Sequence, residues 1–486
     1  MQTEFRFAAS IRTVTLALVL QAIGSVMAIN GAFGQEADRP WEEPVLAPSQ
    51  ESPVPSGGLD AGRLERLVKR GETLFAARFT RSDGAGRPMA TQAIIPTKRR
   101  RPPKDEFQRM AGMDANGCIS CHNVPAAGGA GDFTANVFVS EGFGNAEFDS
   151  IDPQFSNERN TNHLFGAGLI ELLAREMTAD LQAIRSDAAA AARKQHQTIT
   201  LPLETKGVSF GSITVKADGM VDLSGLDGVD TDLVVRPFSQ KGVITSLRQF
   251  TINALNSHHG IQASERFGER WTGQADFDED GMVDEAGPAD ISALVAWQAT
   301  LQPPIIAEPE STAWREAAAA GNAHFSDIGC ARCHIPTLPL NSLTFSDPGP
   351  LDAAGTLRAG ENATPAAYDF SGQEWAKTLQ RNEAGAILVP LFGDLKRHRI
   401  SDQKHSRLGN ELLAQRFVER DVFMTAELWG IGSTAPYGHR GDLTSLDEVI
   451  RAHGGDASPS ARAYEQLPDD ARSAIIAFLK TLVIAP

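Results

Sequence analysis

A five-residue pattern, Cys-x-x-Cys-His, occurs twice in this chain and constrains its fold more than any other feature. The two copies, here termed pentads, are Cys118, Cys121 and His122, then Cys330, Cys333 and His334. Thiols three positions apart on one helical turn can both add to the vinyl groups of a haem. The histidine that follows is then carried onto the iron as its proximal ligand. The pentads use all four cysteines of the chain, so we expect two covalently bound haem c groups.

Two other uses of paired cysteines fit the pattern less well. A thioredoxin-type redox pair has no need of a histidine directly after its second cysteine. One tetrahedral zinc ion takes four ligands, whereas the two pentads offer six candidate ligands, four cysteines and two histidines. The repeated pattern therefore favours haem over both alternatives.

Charge and composition indicate which kinds of binding partner suit this chain. The 486 residues suffice for two or three domains, and an apolar fraction of 42% is ordinary for a chain that buries a core. A formal net charge of −16 argues against nucleic acid as a partner. An acidic surface is common in globular proteins, but it also suits a small redox electron donor of the cytochrome or cupredoxin type.

Residues 1–34 have the features of a secretory signal peptide. Arg6 and Arg12 supply positive charge, a short apolar stretch follows, and Ala28 or Gly34 ends a small-residue cleavage site. A retained membrane anchor is the alternative, although Gln21 interrupts the short apolar run. No later segment is apolar enough to span a bilayer. We therefore expect export to the periplasm and no stable membrane span in the mature chain.

Composition and periodicity divide the remaining chain into a lead-in and two modules. Residues 35–58, rich in Pro, Glu and Ser, are expected to form a flexible lead-in. Prolines within 303–309 mark a boundary between an N-terminal haem c domain, 59–302, and a C-terminal haem c domain, 303–486. Alternating apolar residues predict short strands within 198–226. The expected fold is therefore mainly α, with two cytochrome c-like haem domains, the first enlarged by loops and a small β insertion.

A weak internal repeat supports two related modules. Gly71-x-x-x-Phe75 precedes the first pentad, and Gly321-x-x-x-Phe325 precedes the second. In the second copy the phenylalanine lies shortly before the pentad, whereas a long insertion follows Phe75. We therefore expect the first module to be an expanded version of the second.

An acidic loop in the first module resembles the start of a calcium-binding loop. Carboxylates stand at alternate positions: Asp276, Asp278 and Asp280. Gly281 occupies the sixth position, as such a loop requires, but Gly287 stands where an EF-hand has its bidentate glutamate. Glu285 or Asp290 could complete the ligands. A calcium site and a plain acidic turn both remain open.

Further motifs carry a resemblance to a known family. Beyond the pentads and the acidic loop they are Leu164–Leu169, Arg248–Phe250 continuing to His258-His259-Gly260, Asp394–His398, Leu428-Trp429-Gly430 and Ala435–Gly441. From about residue 60 onward the chain resembles the dihaem oxidoreductase family, a branch of the bacterial dihaem cytochrome c peroxidase superfamily. The resemblance implies one haem that takes electrons from a donor and another that meets peroxide or oxygen.

The resemblance also implies where the second ligand of the C-terminal haem lies. In the superfamily it is carried by the helix after the Ala-Pro-Tyr-x-His-x-Gly stretch, here 445–452, which ends at His453. Related peroxidases often have Met at that position, so His453 suggests a bis-histidine haem of lower potential. A helix cap beside Gly454 is the alternative role for His453. His439, in the preceding turn, is the second ligand candidate.

The N-terminal haem is expected to have an open or exchangeable sixth position. Many dihaem peroxidases have a removable distal histidine shortly after the first pentad, but no His or Met occurs here between His122 and His163. The intervening phenylalanines suit a dry pocket: Phe133, Phe138 and Phe143. An iron without a strong sixth ligand can bind peroxide or oxygen directly.

Cleavage of a peroxide bond also needs an acid-base group near the iron. Glu171, on the helix after Gly168, is our candidate, although a solvated helix glutamate would look the same. His163 is a second catalytic candidate, and His258 and His259 are alternatives. Three further histidines are predicted to be surface or propionate-binding residues (His398 and His405) or a surface residue (His324).

Three functions follow from these expectations. The first is a peroxidase-like oxidoreductase that accepts electrons at the C-terminal haem and reacts with peroxide or oxygen at the N-terminal haem. The second is an electron carrier in which both irons are saturated. The third is a haem-dependent oxygenase that acts on an organic substrate.

Overall fold

The computed structural model describes residues 43–46, 54–86, 88–91, 98–100, 103, 106, 117–132, 134–136, 158–352, 356–357, 364–401, 407–409 and 415–485. The predicted signal peptide lies outside these ranges, as do Phe133, Phe138, Phe143 and His405. Two pieces of the predicted flexible lead-in pack on the rest of the chain, one on the first module and one on the second. The backbone N–H groups of Val45 and Leu46 donate to Asp83, and Gly57–Gly58 forms a strand.

Helices provide the frame of both modules. They are α1 (Ala61–Ala76), α2 (Ala167–Gln195), α3 (Leu247–Ala254), α4 (Ser264–Phe267), α5 (Glu269–Thr272), α6 (Pro288–Thr300), α7 (Thr312–Asp327), α8 (Glu374–Thr378), α9 (Leu446–Ala452), α10 (Ser458–Gln466) and α11 (Asp469–Leu479). Within the described ranges, none of these combines the length and hydrophobicity that a bilayer crossing requires.

Short strands join the helices. They are β1 (Gly57–Gly58), β2 (Met89–Thr91), β3 (Lys98–Arg100), β4 (Thr134–Asn136), β5 (Glu158–Asn160), β6 (Ile199–Thr205), β7 (Val208–Val215), β8 (Val221–Asp222), β9 (Ile305–Ile306), β10 (Leu338–Leu340), β11 (Thr344–Asp347), β12 (Ala366–Asp369), β13 (Ile387–Val389), β14 (Arg397–Arg399), β15 (Val422–Met424) and β16 (Leu482–Val483). They form the three-stranded sheets β1-β12-β11 and β6-β7-β8 and the pairs β2-β3, β4-β5, β9-β16, β10-β13 and β14-β15.

The fold is mixed, with 41% helix and 16% strand, so the expectation of a mainly α protein was too strong. Most strands are too short to show alternation of apolar and polar residues. The exceptions are β6 and β7, of 7 and 8 residues, and these lie in the predicted β insertion. They form an antiparallel hairpin whose turn, Lys206-Gly207, has positive φ at both residues, as two-residue hairpins favour.

The repeated glycine and phenylalanine have matching positions in the two modules. In the first module α1 crosses α6, and a Cβ on Gly71 would overlap the carbonyl oxygen of Ala293 in α6. In the second module α7 crosses α11, and a Cβ on Gly321 would overlap the carbonyl oxygen of Ala474 in α11. Each glycine therefore lies where two helix backbones meet closely, and each module is built on one crossed helix pair.

Gly321→Ala should accordingly destabilise the second module. The added methyl meets a backbone carbonyl that cannot rotate away, and such overpacking costs about 1–3 kcal/mol. The matched control is Gly372→Ala, because a Cβ at Gly372 meets no atom within 4 Å. Thermal unfolding of both variants checks this, and equal melting temperatures would show that the helix crossing tolerates a methyl group.

The hydrophobic core continues across the predicted domain boundary. Leu340, Phe345 and Tyr368 lie beyond residue 303 but share one buried cluster with Leu173 of α2. The C-terminus also returns to the boundary, since β16 pairs with β9. The two pentad modules are therefore packed against each other.

Candidate haem sites

Each pentad forms a single tight turn. The N–H of His122 donates to the carbonyl of Cys118 at 3.1 Å, and the N–H of His334 donates to the carbonyl of Cys330 at 3.0 Å. The four thiols form no disulfide. This turn is the local geometry that covalent haem attachment requires, because both thiols of a pentad and its histidine are presented from one short segment.

The state of the thiols separates haem attachment from redox catalysis. Burial raises the pKa of Cys118 to about 12 and that of Cys330 to about 11. A redox-active cysteine pair needs a lowered pKa, so that one thiol is ionised near neutral pH. The raised pKa values of Cys118 and Cys330 therefore argue against the thioredoxin-type alternative.

Both proximal histidines are oriented in the same way. Nδ1 of His122 lies 3.2 Å from the carbonyl oxygen of Gly129, and Nδ1 of His334 lies 3.2 Å from that of Phe392. A carbonyl can only accept, so Nδ1 carries the proton and Nε2 keeps the lone pair that binds a metal. Burial lowers the pKa of both imidazoles to about 4, which keeps them neutral, as iron ligands must be.

The repeat phenylalanines pack on these histidines. The ring centroids of Phe75 and His122 are 6.0 Å apart, with an interplanar angle of 53°. Those of Phe325 and His334 are 6.3 Å apart, with an angle of 48°. The helix before each pentad therefore fixes its proximal histidine in nearly the same pose, which explains the spacing of the sequence repeat.

His453 lies opposite His334. It ends α9, as the sequence predicts, and its Nδ1 lies 2.6 Å from the carbonyl oxygen of Val449. The ring centroids of His334 and His453 are 6.4 Å apart, with an interplanar angle of 66°. Bonds from a metal to an imidazole nitrogen are about 2 Å long, so two imidazoles on opposite sides of one iron have centroids roughly 6 Å apart. The pair therefore has the separation that a bis-histidine haem requires.

His439, the second ligand candidate, is packed elsewhere. Its ring stacks on Phe423 with centroids 4.6 Å apart. Burial, together with the neighbouring cations Arg159 and Lys241, lowers its pKa to about 2. The ring of His439 therefore packs on Phe423, whereas the ring of His453 faces His334.

His398 is not a surface residue, contrary to one of the two roles predicted for it. Its Nε2 lies 2.7 Å from a carboxylate oxygen of the buried Asp394. The sulfur of Cys333 completes a cluster with these two side chains, with the candidate ligand atoms within 4.8 Å of one another. His398 therefore lies beside the second attachment site. His324 is half-buried on α7.

The surroundings of His122 differ from those of His334. Among the described residues the recorded ring contact of His122 is with Phe75, and no second histidine ring faces it as His453 faces His334. His163 lies near enough to contribute to the lowered pKa of His122. However, Nε2 of His163 is directed at the carbonyl oxygen of Trp429, at 3.0 Å. Among the described residues, the first site therefore differs from the second in lacking an imidazole that faces the proximal histidine.

Glu171 forms a buried ion pair with Arg175. Arg175 donates to one of its carboxylate oxygens, and the N–H of Leu247 donates to the other at 2.8 Å. Burial raises its pKa. These contacts join α2 to α3, and neither of them involves the first pentad. The acid-base role of Glu171 stays a prediction that its contacts do not favour.

A second buried network was missed by the sequence reasoning. Arg248 of α3 is fully buried and pairs with Glu265 and with Asp347 of β11. Arg248 belongs to a motif of the family resemblance, but its two partners are distant in the chain. Nothing in a single sequence marks these three residues as a cluster.

The acidic loop brings three carboxylates together. The candidate ligand oxygens of Asp276, Asp278 and Asp280 lie within 4.8 Å of one another. Glu285 is buried, and burial together with Asp278 and Asp280 raises its pKa well above the usual range. Asp290, the other candidate, is instead held by Arg70 at 2.9 and 3.0 Å. The loop therefore favours Glu285 over Asp290 as a fourth ligand.

Calcium binding at this loop stays a prediction. A divalent cation would relieve the repulsion among the carboxylates, so chelation should lower the melting temperature and calcium should restore it. Asp278→Asn should abolish that response, whereas Asp218→Asn, in an exposed turn, should keep it. A melting temperature that ignores both chelator and calcium, with no metal found by elemental analysis, would show that the loop is only a turn.

Comparisons with known proteins give distant structural similarities. No family model matches the chain, and no curated protein sequence matches it. Hydrazine synthase of Kuenenia stuttgartiensis is similar over 96% of this chain and 100% of its own, with 13% identity and a TM-score of 0.37. A MauG-like protein associated with microbial copper homeostasis is similar over 56% of this chain and 78% of its own, with 15% identity and a TM-score of 0.29. At these TM-scores neither similarity establishes a family.

Proposed function

We propose that this chain is a periplasmic dihaem c-type oxidoreductase with one closed and one open haem. Electrons enter at the C-terminal haem, and peroxide or oxygen reacts at the N-terminal haem. The observation that carries the proposal is the asymmetry between the sites. His334 is paired with His453 at 6.4 Å between ring centroids, whereas His122 has no such partner among the described residues.

Haem, when bound, supplies an iron that exchanges single electrons and that binds small oxidants where a coordination position is open. The residues here determine which of these roles each site takes. His334 and His453, each with Nδ1 oriented by a backbone carbonyl, would hold the C-terminal haem and would suit it to electron transfer. His122, oriented in the same way, would hold the N-terminal haem, and no second imidazole of the described residues faces it.

A series of backbone groups and hydrogen bonds leads from His334, at the C-terminal site, toward the N-terminal site. The carbonyl of Phe392 accepts from Nδ1 of His334 and from the N–H of Leu428, at 3.2 and 3.3 Å. Leu428 precedes Trp429, whose carbonyl lies 3.0 Å from Nε2 of His163. Trp429 is buried, so this half of the connection is shielded from water.

The connection continues on the N-terminal side. His163 precedes Leu164, whose N–H donates to the carbonyl of Gly128 at 2.7 Å. Gly129 follows Gly128, and its carbonyl accepts from Nδ1 of His122 at 3.2 Å. An unbroken series of peptide units and hydrogen bonds therefore runs between the proximal histidines. Such a series suits electron transfer between two haems.

The proposed reaction balances with an external electron donor. One hydrogen peroxide molecule, two electrons and two protons give two water molecules. The donor is a small periplasmic redox protein of the cytochrome or cupredoxin type, which gives up one electron at a time. The acidic surface of the chain suits a basic donor.

The test uses the full chain carrying both haems. Reduced donor should be oxidised when peroxide is added, and a parallel assay with oxygen shows which oxidant is used. His163→Phe removes the contact with the carbonyl of Trp429 and should slow electron transfer between the haems, while the spectrum of the C-terminal haem stays unchanged. His324→Phe, at a half-buried position of α7 outside this connection, is the matched control and should keep the wild-type rate. If neither oxidant reoxidises the reduced protein, the electron-carrier function replaces the enzymatic one.

A further inference from the structure

A π-helical turn follows α3 and presents two consecutive histidines. It spans Leu255–His259 and is closed by Gly260, which has a φ of +80° and donates its N–H to Asn256 at 3.2 Å. A π turn is rare, and where it occurs it is frequently at a functional site. The turn therefore marks His258 and His259 as candidate site residues.

His259 is fixed against the first attachment site. Its Nε2 lies 3.9 Å from the sulfur of Cys118, although 141 positions separate the two residues in sequence. The ring packs on Phe79 with centroids 5.3 Å apart, and the N–H of Gly86 donates to its carbonyl at 3.4 Å. His259 is 3% exposed. Contacts with its ring and with its backbone therefore hold it beside the thiol that would anchor the N-terminal haem.

His258 lies next to this fixed residue and is less enclosed. It is half-buried, and its ring centroid is 6.3 Å from that of His259, with an interplanar angle of 64°. An imidazole has an ordinary pKa near neutrality, so it can both take up and release a proton under physiological conditions. Glu171, by contrast, is held by Arg175 and Leu247 in contacts that do not reach the pentad.

We propose that the His258–His259 pair forms the proton-carrying side of the N-terminal haem pocket. His259 is a positioning residue that holds the π turn against Cys118, and His258 moves the proton. This inference rests on the proposed function and assigns the acid-base group within it. His258 would take the proton from one peroxide oxygen and give it to the other, which leaves as water when the O–O bond breaks. The remaining oxygen takes up two electrons from the donor and two protons and becomes the second water molecule. His258 is unchanged at the end, and the net reaction still consumes two electrons and two protons.

The experiment compares His258→Gln and His259→Gln with His196→Gln in the protein carrying both haems. His196 is exposed at the end of α2 and serves as the control. Two rates are measured in rapid mixing: the reaction with peroxide and the association of cyanide. Hydrogen cyanide must lose its proton before it binds iron, so its association reports a nearby base without any turnover.

We expect His258→Gln to slow both rates by roughly 10²–10⁴-fold, the range that a general acid-base residue contributes. His259→Gln should slow them less, His196→Gln should leave them unchanged, and added imidazole should restore part of the loss in His258→Gln. Haem content and the spectrum of the C-terminal haem should be the same in all variants. If cyanide association slows in His258→Gln but the wild-type protein does not react with peroxide, the result would support the proton-carrying role of the histidine pair. The same result would contradict the proposed function.

Two results would overturn the inference. The first is wild-type rates with both peroxide and cyanide in His258→Gln and His259→Gln. The second is a low-spin N-terminal haem that either substitution converts to high spin, since that histidine would then be an iron ligand and not a proton carrier.

Discussion

Replacing Cys330 and Cys333 by alanine is expected to remove one of two haems and to leave the other in place. The pentads are local turns with their own thiols and histidine, so loss of one attachment leaves the chemistry of the other intact. Haem content measured by pyridine haemochrome should fall by half. The matched variant, Cys118→Ala with Cys121→Ala, should remove the other haem and leave the C-terminal spectrum.

The same substitution should also destabilise the C-terminal module. Phe325 and Phe392 belong to the buried cluster against which Cys330 packs, and Phe325 also packs on His334. A missing haem removes contacts from this cluster, with a cost on the order of 3–5 kcal/mol if it resembles the loss of a large aromatic side chain. Wild-type protein with one haem or none, or with haem that acidified acetone extracts, would contradict covalent attachment at both pentads.

Replacing His453 by alanine is expected to convert the C-terminal haem from low spin to high spin. The substitution removes one of two imidazoles placed 6.4 Å apart and leaves His334 as the single strong ligand. The midpoint potential should shift on the order of 0.1 V or more, because axial ligands set haem potentials over a range of about 0.8 V. Optical and paramagnetic-resonance spectra with a redox titration measure both effects.

The control for this substitution is His439→Ala. The ring of His439 packs on Phe423, whereas that of His453 faces His334, so removal of His439 should leave the C-terminal haem low-spin. If His453→Ala keeps the wild-type spectrum and His439→Ala does not, the ligand assignment is wrong and the turn at 435–441 supplies the ligand.

The features that could be predicted from sequence are those that depend on spacing along one segment. The pentad turns follow from the order of their own residues, and the position of His453 follows from the end of α9. The glycine and phenylalanine repeat was visible as spacing. Its physical reason, a close crossing of two helices, needed α6 and α11, which the repeat itself does not contain.

Features that depend on contacts between distant segments could not be predicted. Glu171 looked like a helix glutamate near a glycine-rich turn, but the partner at its second oxygen, Leu247, comes from α3. His398 appeared among basic residues, yet the fold sets it beside Cys333. The contact of His259 with Cys118 spans 141 positions. A single sequence carries no signal for such pairs.

A cyanide titration of the oxidised and the half-reduced protein, followed by paramagnetic resonance, separates a protein with one open haem from one with two saturated haems. We expect the signal of the N-terminal haem to change and the bis-histidine signal of the C-terminal haem to stay as it was. A protein in which neither haem responds, even after half-reduction, would contradict the open site. A response from both haems would contradict the pairing of His334 with His453.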